Sequence, residues 1–275
     1  MTIGIVGLGL IGGSLARAFK ENHIENILAY DVDKISLEYA SLIQVIDGTL
    51  NVDNISQCDY IFLALYPKDV IDFLKINAAG IKKGSIVIDC CGTKTSVCSV
   101  GFQLAKENGF NFIGGHPMAG IHKSGFKYGR SNLFKNASMI LVPKPEEDIA
   151  ILDRAKKILK LAGFDKITIT TAEKHDEIIA YTSQLAHVVS NAFIKSPSSK
   201  HHKGFSAGSY KDLTRVSKVN EDMWTELFIE NGKNLSREID LLIESLKKYS
   251  AAIKDEDSEG LKELLIEGNI AKDII

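Results

Sequence analysis

The chain has 275 residues, 45% of them hydrophobic and 25% charged, with a formal net charge of −2. That length allows one large domain or two modest ones, and the composition is that of an ordinary soluble globular protein. The charge argues against a nucleic-acid surface, which needs clustered Lys and Arg, and no apolar run is long enough for a membrane span.

Taken in chain order, 2–6 reads as a strand and 11–21 as a helix. The apolar start 1–16 lacks a basic leader, so it is read as strand, turn and helix start, not as a signal peptide. Between the two lies Gly7-Leu8-Gly9-Leu10-Ile11-Gly12. Gly7 permits a tight turn, Gly9 lets a pyrophosphate approach the backbone, and Gly12 lets the helix pack on the strand. The helix N-terminus would then face the phosphates. A tight turn without a ligand has the same spacing, but the flanking elements favour a dinucleotide. A second strand, 26–30, ends next to Asp31, which suits a ribose 2′-hydroxyl and repels a 2′-phosphate. NAD is therefore expected over NADP, although Lys34 stands nearby.

The alternation continues with a helix at 35–41, a strand at 60–65, a helix at 70–79 and a strand at 85–89. A helix at 95–108 and strands at 112–114 and 138–142 follow, then a helix at 148–162 and a strand at 166–170. Strands alternating with helices predict an α/β fold with a Rossmann-type, doubly wound, mostly parallel sheet. Two segments lie where carboxyl ends of strands build a crevice. Asp89-Cys90-Cys91-Gly92-Thr93-Lys94 offers the Thr93 hydroxyl, which also reads, with Thr95, as a helix cap. Gly114-Gly115-His116-Pro117 places a histidine on what reads as a stiff, turned loop just past a strand, fit for proton transfer near neutral pH. The four cysteines (Cys58, Cys90, Cys91 and Cys98) form no CxxC pair and no zinc spacing. They read as small buried hydrophobes in a reducing cytoplasm, and no metal is expected.

After Thr171 no strand is predicted. Helices are expected over 172–195, 209–216, 220–253 with a bend near Asn231-Gly232, and 261–274. Two domains follow: a dinucleotide-binding domain at 1–171 and a helical domain at 172–275, which plausibly buries itself against a second copy in a homodimer. His187 stands on an apolar helix and by itself reads first as a core histidine. Arginine is scarce, five residues against 28 lysines. Arg215 suits a bidentate grip on carboxylate, or else a surface pair with Asp212 three residues earlier.

Together these pieces resemble the prephenate dehydrogenase family, which oxidatively decarboxylates prephenate, or its amino analogue arogenate, with NAD(P). The matching set runs over nearly the whole chain: GLGLIGGS, Asp31, Gly92-Thr93-Lys94, GGHPMAG, His175-Asp176, SQLAH and GSYKDLTR. The resemblance implies a small-molecule substrate, with His116 taking the proton of its ring hydroxyl as hydride leaves for the nicotinamide. Thr93 stands where the family commonly has Ser. Arg215 would bind a substrate carboxylate, and His187, Asp212 and Trp224 would line or support that pocket. Loss of CO₂ is driven by ring aromatisation and needs no metal. His122 stands where the family often has an acidic residue, and Gln184 where it often has His; both changes are expected near the substrate and bear on prephenate against arogenate. The length leaves no room for a fused chorismate mutase or regulatory domain. Two other readings stay open: a dehydrogenase of the 3-hydroxyisobutyrate or 6-phosphogluconate type, with Lys174 or Lys195 as acid/base, and a Rossmann protein that senses NAD without turnover.

Overall fold

Ile61-Phe62-Leu63 and Ile86-Val87-Ile88 are buried without alternation, as strands covered on both faces must be. They form the middle of an eight-stranded sheet of order β3-β2-β1-β4-β5-β6-β7-β8. The computed structural model describes residues 1–121 and 123–274. The strands are β1 (Thr2–Val6), β2 (Asn26–Tyr30), β3 (Gly48–Thr49), β4 (Tyr60–Leu63), β5 (Ile86–Asp89), β6 (Asn111–Pro117), β7 (Ser138–Val142) and β8 (Lys166–Ile169). All neighbours are parallel except β6 and β7.

Helices α1 (Leu10–Glu21), α2 (Lys34–Leu42) and α5 (Ile149–Leu161) cover one face, where Leu15, Phe19 and Ile158 meet Ile5, Phe62 and Ile88. On the other, α3 (Pro67–Asn77) and α4 (Thr95–Asn108) bring Val70, Leu74 and Val97 onto Ile61, Leu63 and Val87. These are the predicted mostly parallel sheet and its two helical layers. The two-residue β3 gives no periodic signal and is absent from the sequence reading.

The rest of the described chain is helical: α6 (Ala172–Ile179), a π-helical turn (Ala180–Leu185), α7 (Ala186–Phe193), α8 (Gly208–Thr214), α9 (Glu221–Glu230), α10 (Gly232–Lys254) and α11 (Ser258–Ile274). The rod expected over 172–195 is thus interrupted by the π turn, a feature common at functional sites. The helix expected over 220–253 is two, broken at Asn231. Asn220 does cap the first, accepting from the Met223 N–H at 2.9 Å.

One difference touches the chemistry. His116 lies inside β6, opposite Ile140, and not on a turned loop beyond a three-residue strand. Neither Gly114 nor Gly115 has a positive φ. Their value is closeness: a Cβ on Gly115 would strike the Asp89 carbonyl, and one on Gly114 would strike the Cys98 sulfur. Pro117 is tolerated because it sits opposite Met139, one step from the Met118 N–H to Ser138 carbonyl bond. No ladder bond with β7 is lost there, and β5 has already ended on the other side.

Candidate active site

At the carboxyl end of the sheet β6 outruns β5, so the Gly115 N–H finds no strand partner. It donates instead to Asp89 Oδ1 at 3.0 Å. The other oxygen of Asp89 accepts from the Cys91 N–H and from the wholly buried Lys94 ammonium. Burial works against charge on Lys94, but Asp89 beside it more than compensates and its pKa is raised. This ion pair fixes the strand that carries His116.

His116 Nδ1 lies 2.8 Å from His175 Nε2, and His175 Nδ1 lies 2.8 Å from Asp176 Oδ1. Asp176 also accepts from the Lys94 N–H at 2.8 Å, the Thr95 N–H at 2.8 Å and the Thr95 hydroxyl at 2.5 Å. Burial disfavours the carboxylate, yet the bonds from His175 and Thr95 outweigh it and hold its pKa below the usual range. Burial also depresses His175, against the pull of Asp176. His116 is pushed well below the ordinary histidine range by burial, then by His175 and Lys94, with Asp176 opposing. Both imidazoles are therefore neutral near pH 7, and the proton positions follow. Ionised Asp176 requires a proton on His175 Nδ1, so Nε2 of that ring accepts. It accepts from His116 Nδ1, which leaves His116 Nε2 with its lone pair and no protein partner among the described residues. These contacts thus set the tautomer of a half-buried imidazole.

Four helices, α1 to α4, begin at this end of the sheet, and three have carboxylates on their N-termini. Asp33 caps α2. Glu226 of α9 accepts from the Lys68 N–H of α3 at 2.8 Å, and Asp176 of α6 fills α4. Of these four, only α1, with Gly9 at its cap, takes no carboxylate from the described residues on its first turn. Gly7 has φ +88°, a Cβ on Gly12 would strike the Gly7 carbonyl, and a Cβ on Gly9 would meet nothing within 4 Å. This open, glycine-lined end with its free N–H groups fits a dinucleotide pyrophosphate. Leu8, Leu10 and Ile11 complete the turn. Asp31 accepts from the Leu8 N–H at 2.5 Å and the Asp33 N–H at 2.8 Å, which pins the carboxylate beside that turn.

The remaining candidates spread out. Thr93 is 1% exposed and its hydroxyl has no hydrogen-bond partner among the described residues, so it is not bonded to His116. Neither does it cap α4, whose N-terminus takes Asp176. His187 Nδ1 donates to the Ser183 carbonyl at 2.9 Å, and the ring lies against that of Trp224, centroids 3.9 Å apart. Arg215 and Asp212 are both exposed and form no ion pair with each other among the described residues. Ser190 and Asn191 of α7 bond the Leu213 and Ser217 carbonyls, which ties the Arg215 segment to the helix of His187. Gln184 is buried, donating to the Leu227 carbonyl and accepting from Asn231. His122 lies outside the described residues. His175 and Asp176 carry no role in the sequence reading. An adjacent His-Asp pair opening a helix was the available signal, but nothing in the sequence tells that it faces His116.

The chain matches the family model described as prephenate dehydrogenase, nucleotide-binding domain, over residues 15–167, and the one described as prephenate dehydrogenase, dimerization domain, over residues 171–267. The prephenate dehydrogenase of Lactococcus lactis subsp. cremoris is 30% identical over 272 residues, covering 96% of this chain and 74% of that one. The cyclohexadienyl dehydrogenase of Zymomonas mobilis subsp. mobilis is 30% identical over 284 residues, covering 98% and 94%. Among solved structures, prephenate dehydrogenase from Aquifex aeolicus in complex with hydroxyphenyl propionate and NAD+ superposes with a TM-score of 0.82 at 28% identity, covering 99% of this chain and 97% of that one.

Proposed function

The chain belongs to the prephenate dehydrogenase family, and from that premise we propose that it carries out the NAD-dependent oxidative decarboxylation of prephenate to 4-hydroxyphenylpyruvate, on the way to tyrosine. The observation that carries the reading is the relay from His116 through His175 to Asp176, which leaves one unprotonated nitrogen at the carboxyl end of the sheet, the same end at which α1 opens. His116 Nε2 accepts the proton of the ring hydroxyl. The positive charge that develops on His116 is met by His175 and, behind it, by the Asp176 carboxylate. NAD, when bound, supplies the acceptor for the hydride that leaves the same ring carbon. Gly7 to Gly12 and the α1 N-terminus hold its pyrophosphate, and Asp31 faces the ribose and disfavours a 2′-phosphate.

Arg215 holds a substrate carboxylate, with His187, Trp224 and Asp212 around it. Replacing Arg215 by Ala should raise KM for prephenate by about tenfold or more, the worth of a charge-assisted hydrogen bond. An unchanged KM would remove Arg215 from the site. We place the boundary between the 1–171 and 172–275 domains where β8 gives way to α6, and infer a homodimer through the helical domain. Supporting the dimer are the family description of that domain and the exposed Leu241, Leu246, Ile253, Leu265 and Ile270 of α10 and α11. No helix among the described residues is long and apolar enough to cross a membrane. All four cysteines are free, which supports a cytoplasmic location.

The test is release of NADH from purified protein offered prephenate and arogenate in turn, each with NAD and with NADP. Prephenate with NAD should be fastest. Faster turnover of arogenate would move the substrate to the amino analogue, and no turnover of either would overturn the reaction.

A further inference from the structure

Four groups face the two oxygens of Asp176, and all four donate: the Lys94 N–H, the Thr95 N–H, the Thr95 hydroxyl and His175 Nδ1–H. Three of the four belong to the start of α4, where the partial positive charge of a helix N-terminus adds to them. Asp176 is 3% exposed, so no water competes for these positions. A buried carboxylate with this many donors keeps its charge and takes no proton from His175. Its part is to fix which nitrogen of His175 carries the proton.

The two backbone amides are present whatever residue stands at position 95, whereas the hydroxyl is there only because the residue is Thr. That hydroxyl lies 2.5 Å from Oδ2. It holds the carboxylate plane so that Oδ1 points at His175 Nδ1. We propose that Thr95 is a positioning residue for the base His116, acting through Asp176 and His175 without touching substrate. The proposal rests on the reading of His116 as the base of the reaction proposed above.

The sign of the effect follows from who shares the charge. Lys94, with Asp89 on its ammonium, and Asp176 are the charged groups facing the two histidines, and Cys98 nearby stays a thiol because burial raises its pKa. The Thr95 hydroxyl draws on the Asp176 charge. Its removal leaves more of that charge for His175, which makes His175 and then His116 more basic. The acid limb of kcat/KM should then move to higher pH. The freed carboxylate can also rotate, so a smaller share of molecules has His116 Nε2 unprotonated and aimed at substrate.

Thr95→Val keeps the shape and removes the hydroxyl, Thr95→Ala removes it without a new methyl, and Thr95→Ser restores it. Thr95 is exposed, so none of these disturbs the core. With prephenate and saturating NAD, Val and Ala should lower kcat on the order of tenfold, the worth of one hydrogen bond to a charged group. Both should shift the acid limb upward, leave the NAD Kd unchanged, and be reversed in Ser. Wild-type kcat in Val and Ala overturns the proposal, as does a loss that leaves the acid limb in place or that Ser does not recover. Nitrogen-15 NMR of the histidine rings reads the same point without turnover. Wild type should show His175 protonated on Nδ1, and Val should show a mixture of tautomers. Identical tautomer populations would overturn the Thr95 role, even where absent turnover had overturned the reaction itself.

Discussion

The N-termini of α1 and α4 start from the same situation. Each follows a parallel strand of the sheet, and each opens free N–H groups at its carboxyl edge. At α1 the chain supplies glycine and leaves the end bare. At α4 it supplies Thr95 and brings Asp176 from the helical half to fill the end. One terminus is left open to an anion from outside, and the other holds an anion that belongs to the protein. On the reading proposed above, the same backbone dipole would serve cofactor binding at one place and base orientation at the other. What decides between them is the residue type in the first turn and whether a carboxylate elsewhere in the fold can reach it.

The largest effect that separates the two ends should come from Asp176→Asn. Asparagine has one donor end, while every group facing Asp176 donates. Turned to His175, the amide reverses the tautomer and takes the lone pair from His116 Nε2; turned to α4, it breaks the cap. Steady-state kinetics should show kcat falling on the order of 10⁴-fold, as the wrong-tautomer variant of another His-Asp pair does. Titration with NAD should show an unchanged Kd, and a Kd that weakens alongside kcat would merge the two ends into one site.

A smaller effect sharpens the α1 side. A Cβ at Gly9 meets nothing within 4 Å, so Gly9→Ala should leave the melting temperature unchanged. Only the ligand would feel the methyl, and the NAD Kd should weaken by about tenfold, or roughly 1.4 kcal/mol. An unchanged Kd would mean that the open end of α1 is not where the pyrophosphate sits. Gly12→Ala differs in kind, because its Cβ strikes the Gly7 carbonyl and the fold itself should suffer.

The smallest effect is on stability against pH. His116 and His175 have folded pKa values below the ordinary one. Below about pH 6.5 the unfolded chain takes up protons that the folded histidines refuse. Stability should therefore fall as the pH drops from about 6.5 toward the depressed folded values, and Asp176, depressed as a carboxylate, adds its loss only at lower pH. Thermal melts across that range should show a shallower decline in His116→Asn, which lacks one of the two titrating rings. An identical slope would mean that His116 is not buried as a neutral ring.

Much of this was legible in the chain itself. Apolar runs of four and five residues between helical periods determine the sheet, because a strand covered on both faces must be apolar throughout. Gly7, Gly9 and Gly12 announce the α1 turn, because the lack of a side chain is a property of the residue and needs no neighbour to express it. Arg215 stood out by residue type, and His116 by its setting between glycines and a proline. The contacts between distant positions were decided only when the chain folded. Gly114 and Gly115 looked like a turn, and only the approach of Asp89 and Cys98 makes them strand residues. His175 and Asp176 looked like any helix start, and they join His116 in one hydrogen-bond chain because β6 and α4 lie beside them. Local conformation follows from each residue's own sterics, so sequence carries it. A hydrogen bond across 59 or 81 residues depends on where two separate elements pack, and that is settled by the burial of the whole core.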